Sequence, residues 1–161
     1  MLLESLAAAL ICLDPGHATA PEWARRREPI GPGARELKVV DGGGTAGEAP
    51  AHADGSLDPS RHGVSTLVPA LRRGWTDDVY AASLRAGRLA QRELVRATGA
   101  RDRGLVERAD LTGFNWSDVP TILVETGFLT NPRERALLGT PRYRERVAVA
   151  LAAAARSFTR R

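Results

Sequence analysis

The chain has 161 residues, with 23 Lys and Arg against 19 Asp and Glu, a formal charge of +4 and an isoelectric point near 10.2. That length is enough for one domain with a core of its own. No apolar run approaches the roughly 20 residues needed to cross a bilayer, and the single cysteine, Cys12, excludes an internal disulfide or a paired-cysteine zinc site. The basic residues are scattered, and all but Lys38 are arginine. They lack the clustered stripe and recognisable module of a nucleic-acid binder, so no nucleic-acid partner is expected.

The first ten residues are apolar but lack a basic start and carry Glu4, so they read as the lead-in to a strand rather than a signal peptide. Ala9 to Leu13 is an apolar run that ends in Asp14-Pro15-Gly16-His17. The Pro-Gly pair enforces a turn, which presents His17 from a rigid strand end. Cys12, inside that run, reads as a small core residue. Residues 18–62 are rich in Gly, Pro and Arg and show no sustained period, with only Arg35 to Val40 suited to a short strand. A stretch of that length without regular structure usually carries function or is disordered. Near its end, Ala51-His52-Ala53-Asp54-Gly55 brings in a second histidine.

From Gly63 the pattern becomes regular. Gly63 to Val68 predicts a strand. Asp77 to Thr98 predicts a helix, with Val79, Ala82, Ala86, Leu89, Ala90, Leu94 and Ala97 on its inner face and Gly99 as its stop. Arg101 to Asp110 reads as a connection. Thr121 to Val124 predicts a short buried strand, placing Glu125 where the strand stops and a loop begins. Asn131 reads as a helix cap, with Pro132 at the first helical position and Glu134 three residues after the cap. A short helix over 132–138 follows, and Thr140-Pro141 open a last helix whose Tyr143, Val147, Ala150, Leu151, Ala154 and Phe158 face inward. Strands alternating with helices predict an α/β fold in a single domain spanning 1–161.

Two histidines and a strand-end glutamate suggest zinc hydrolysis. Imidazoles would hold the metal, and a carboxylate would move the proton. Trp23, Trp75 and Trp116 read first as core residues and second as the lining of a sugar-contacting cleft. His62 has no partner segment and reads as a solvated turn residue.

The Leu13-Asp-Pro-Gly-His17 turn, the His52-Ala-Asp-Gly segment, Asp102-Arg-Gly104 and the run Pro120-Thr-Ile-Leu-Val-Glu125-Thr-Gly-Phe-Leu-Thr-Asn131 together resemble the zinc-dependent N-acetylmuramoyl-L-alanine amidases of the amidase type 3 family. The resemblance implies an open, mostly parallel sheet with flanking helices. It also implies Zn2+ as cofactor, with His17 and His52 as ligands and Glu125 as the catalytic glutamate. The implied reaction is hydrolysis of the amide between N-acetylmuramic acid and L-alanine in peptidoglycan, in the cell envelope or outside the cell. The family carries a zinc-binding glutamate on a helix between its two histidine segments. Here only 34 residues separate His17 from His52, which implies a chain shortened by loss of central strand and helix elements, with Glu48 the nearest acidic stand-in for the third ligand. The alternative is a wall-binding remnant that keeps the signature without the chemistry.

Overall fold

The computed structural model describes residues 27–39 and 51–160. The expected strand at Ala9 to Leu13, with Cys12, His17 and Glu48, lies outside the described residues.

The elements in chain order are β1 (Arg27–Pro29), β2 (Leu37–Val39), β3 (Ala51–Asp54), β4 (Val64–Pro69), α1 (Tyr80–Thr98), β5 (Asp102–Arg108), α2 (Thr112–Asn115), β6 (Leu123–Phe128), α3 (Pro132–Leu138) and α4 (Pro141–Thr159). β1 and β2 form a small antiparallel ladder. The main sheet has the order β3-β6-β4-β5. β3 with β6 and β4 with β5 are parallel pairs, and β4 with β6 is the antiparallel seam between them. With two of the three pairings among the described residues parallel and helices packed beside it, the sheet is open and α/β.

Successive side chains on a strand point to opposite faces, and one face of this sheet is apolar. Val64 and Val124 pack there with Ala90 and Leu94 of α1 and with Tyr143, Val147, Ala150 and Ala154 of α4. Four of the inward positions expected of α4 are therefore met and Leu151 packs partly buried against them, whereas Phe158 lies outside this cluster, under the Arg85 guanidinium. α1 begins three residues later than expected, at Tyr80 rather than Asp77, because Asp77 turns its carboxylate back onto Gly74 N (2.8 Å) and so holds a turn before the helix. α1 also buries a more polar stripe than its alanines and leucines predict: Ser83, Gly87, Ala90, Gln91, Glu93 and Leu94. Hydrogen bonds explain the polar members. Gln91 Nε2 donates to Val64 O, and Thr66 Oγ1 donates to Gln91 Oε1. Ser83 Oγ accepts from Thr121 N. Gly99 ends the helix in the left-handed region (φ 69°) and donates to Val95 O, as its position predicts.

Two further differences bear on the site. Residues 102–108 are a strand rather than a connection. β5 lies at the sheet edge and is half exposed, so its Asp-Arg-Gly-Leu-Val-Glu-Arg sequence carries little apolar alternation. Three strands also fall inside the stretch that reads as irregular. β2 lies within the expected Arg35 to Val40, whereas β1 and β3 carry no sequence signal of their own.

At Gly87, α1 lies close against the sheet. A Cβ there would stand 2.6 Å from Val68 Cγ1, and Val68 is fully buried with a stiff β-branched side chain. Helix propensity favours Gly87→Ala by about 1 kcal/mol, but overpacking costs about 1–3 kcal/mol. The expected net result is destabilisation, read as a lower urea midpoint at unchanged slope. A raised midpoint would show that the helix can shift outward freely.

Candidate active site

His52 and Glu125 come from distant parts of the sequence and stand directly opposite each other across the β3–β6 pair. Glu125 is also opposite Ser65 across the β4–β6 seam. Directly paired residues share a face, so His52, Glu125 and Ser65 form a row across three strands. Val64 and Val124, one position away, occupy the core face, which places the row on the face turned away from α1 and α4. His52 and Glu125 are both half-buried.

Glu125 does not end its strand, as the sequence suggests. β6 continues to Phe128, and the break at Thr126-Gly127 is a β-bulge. On β3 the register advances two residues from His52 to Asp54, while on β6 it advances three, from Glu125 to Phe128. Gly127 supplies the positive φ (149°) that the extra residue requires. Bulges re-aim the side chains beside them, and this one follows directly after Glu125.

Three contacts fix the bulge. Thr126 Oγ1 donates to the carbonyl of His52 (2.8 Å), linking the two halves of the site. The buried Tyr143 hydroxyl donates to the Thr126 carbonyl (3.0 Å). Burial raises the Tyr143 phenol above its ordinary pKa, and the nearby Glu134 charge adds to this, so the hydroxyl keeps its proton as a donor. Glu134 accepts from Gly63 N through Oε1 and from Phe128 N through Oε2, both at 2.8 Å. The capping arrangement expected at Asn131 is thus met in part. Asn131 Oδ1 accepts from Arg133 N and Glu134 N, and Pro132 opens the helix. The Glu134 carboxylate, however, reaches the two strand ends rather than its own cap.

Arg108, on the strand that reads as a connection, shares the sheet face of Glu125 through its pairing with Pro69. The Asp110 carboxylate holds the guanidinium (2.7 Å at each oxygen) and raises its pKa above the ordinary value, with smaller contributions in the same direction from Asp54 and Glu125. The acidic side chains of the site therefore face a fixed positive charge. Only the strand pairing discloses Arg108, because its local sequence resembles any charged loop. His62 is exposed, with Nδ1 2.9 Å from Ser60 O, which fits a solvated turn residue.

A profile of the N-acetylmuramoyl-L-alanine amidase family matches residues 51–157. The chain belongs to this family. His52 and Glu125 lie within the matched segment, and His17 and Glu48 lie before it. Among curated proteins, AmiA of Escherichia coli is 46% identical over 46 residues, which is 29% of this chain and 16% of that protein. AmiC of Neisseria meningitidis is 36% identical over 76 residues, covering 47% of this chain and 18% of that protein. The matches thus span less than a fifth of either relative. Among solved structures, Ami1 of Mycobacterium smegmatis shares the fold with a TM-score of 0.75 over 92% of this chain and 95% of that one, at 21% identity. An amidase of Clostridium difficile 630 aligns with a TM-score of 0.60 at 26% identity, over 69% of this chain and 56% of that one.

A catalytic zinc site needs three protein ligands. Among the described residues no group of three or more His, Cys, Asp and Glu could hold a metal ion. The described part of the site offers one imidazole and one carboxylate side by side, donor types that suit zinc, and any completing ligands lie outside the described residues.

The bulge makes Glu134 testable. Glu134→Ala leaves two strand-end N–H groups without their acceptor, and an unmet buried donor costs about 1–3 kcal/mol. We expect a loss of about 2–4 kcal/mol in urea unfolding, with Glu134→Gln losing roughly half as much because one oxygen remains. Equal losses from the two variants would mean that the carboxylate's two bonds are not independent.

Proposed function

We propose that this chain hydrolyses the amide between N-acetylmuramic acid and L-alanine in peptidoglycan, with Glu125 as the proton-transfer group. The observation that carries the reading is the pairing of His52 with Glu125 within the segment matched by the family. Zn2+ is the cofactor of the proposal and would be held by His52, by His17 as the second imidazole and by Glu48 as the carboxylate. When bound there it would supply Lewis acidity toward the substrate carbonyl.

The chain's own residues account for the rest. The Glu125 carboxylate accepts a proton from the attacking water and returns it to the departing amine of L-alanine, a general base and then a general acid in one group. The bulge after Glu125 aims that carboxylate, and the Thr126 bond to the His52 carbonyl holds the imidazole strand in register with it. Arg108 places a permanent positive charge on the same face of the sheet as Glu125. On this proposal the working protein acts in the cell envelope or outside the cell. No helix among the described residues is long and apolar enough to cross a membrane.

The decisive experiment digests purified peptidoglycan with the zinc-supplied protein and with its Glu125→Gln variant, scoring new L-alanine amino termini and bound zinc per chain. We expect release by the parent and a loss of about 10²–10⁴-fold in the variant at unchanged zinc content. Full activity in the variant would remove Glu125 from the mechanism. A folded parent that binds wall but neither holds zinc nor releases termini would instead make the chain a wall-binding remnant of the family.

A further inference from the structure

A second concave feature lies beyond the carboxyl ends of β4 and β5, the part of an α/β sheet where ligands commonly bind. It is a cleft of about 410 Å³ lined by Trp75, Trp116, Asn115, Asp77, Asp78 and Asp118, among others. The two tryptophans are fixed differently. Trp75 packs against Gly31, where a Cβ would come within 2.5 Å of the ring, and carries the Arg72 guanidinium 4.0 Å from a ring centroid. Trp116 is 45% exposed and donates its indole N–H to the Pro29 carbonyl (3.0 Å). With that donor engaged, Trp116 presents flat carbon surface to the solvent.

Asn115 supplies the independent observation. It is 1% exposed, and its Nδ2 donates to both Ile30 O (2.8 Å) and Ala109 O (2.9 Å). Those two carbonyls fix which way round the amide lies, because only the nitrogen end can donate to them. Among the described residues, no hydrogen-bond donor meets the buried Oδ1. A buried acceptor in that condition is costly, and the donor it lacks can come from a ligand entering beside Trp116.

An exposed indole face, a neutral acceptor in need of a donor and three carboxylates suit a group with an apolar ring face and a rim of hydroxyl and amide N–H donors. We propose that this cleft binds an N-acetylated pyranose of the glycan strand, its ring stacked on Trp116 and a hydroxyl or acetamido N–H donated to Asn115 Oδ1, with the aspartates accepting outer hydroxyls. The proposal rests on the peptidoglycan reading and adds a glycan subsite separate from the His52–Glu125 pair. Arg108 does not line the cleft, and none of the lining residues named belongs to the proposed catalytic set.

The test titrates the folded protein with N-acetylglucosamine tetramer and follows tryptophan fluorescence. Parent and Glu125→Gln are run in parallel, so that binding is read whether or not the chain is an active amidase. Saturable quenching is expected in both, with affinity at least tenfold weaker in Trp116→Ala and in Asp118→Ala, and restored in large part by Trp116→Phe. Near-UV circular dichroism and a thermal melt establish that each variant is folded. Lysine and tetramethylammonium serve as rival ligands, because aromatic and acidic groups also suit cations. Absence of quenching by the tetramer, quenching by the cations in its place, or equal affinity in folded Trp116→Ala would each overturn the proposal.

Discussion

One carboxylate closes the end of the sheet on which the site depends. Glu134 stands on the first turn of α3 and bonds the N–H groups of Gly63 and Phe128, the residue before β4 and the last residue of β6. These strands are antiparallel neighbours, so their adjacent ends would otherwise fray with buried donors unmet. The bulge at Thr126-Gly127 sharpens the requirement, because the extra residue takes backbone groups out of the ladder. A charged acceptor can meet two donors at once, which a backbone carbonyl in fixed geometry rarely does. Asn131 holds Glu134 in turn by capping α3, and its Nδ2 reaches Pro59 O, fastening the loop that leads into β4. The positions of His52 and Glu125 thus follow from a chain of polar contacts that begins on a helix neither residue belongs to.

Polar specificity also governs how α1 lies on the sheet. A wholly apolar stripe would allow the helix to slide by a turn with little penalty. Gln91 prevents this by accepting from Thr66 and donating to Val64, and Ser83 accepts from Thr121 at the entrance to β6. A buried polar group displaced from its partners is costly, so one register of helix on sheet prevails. Gly87, set between these contacts, lets the helix come close enough for them to form.

The elements that were legible in the sequence are those whose signals are local. α3 and α4 declare themselves through Asn131-Pro132 and Thr140-Pro141, and β4 through the run from Val64 to Val68, rich in β-branched residues and all of it buried in the fold. β3 and β5 were not legible, because one is a four-residue strand between Pro50 and Gly55 and the other is a charged edge. Their strand character comes from partners elsewhere in the chain. Glu125 and His52 could be named from residue type and resemblance, but their pairing is a fact of register. The Thr-Gly-Phe sequence marks a break, and only the Cα pairing shows that the break is a bulge within a continuing strand. Arg108 and the tie between Thr126 and His52 carry no local sign at all.

The antiparallel seam between β4 and β6 has one more effect. Because β6 runs against β4, the carboxyl ends of the two parallel pairs open on opposite rims of the sheet. The bulge that aims Glu125 belongs to one pair, and the tryptophan-lined cleft lies beyond the other. Loop changes beyond β4 and β5 can therefore accumulate without altering the backbone that orients Glu125, and the reverse also holds. A sheet that reverses direction at its middle can let one rim vary while the backbone at the other stays fixed.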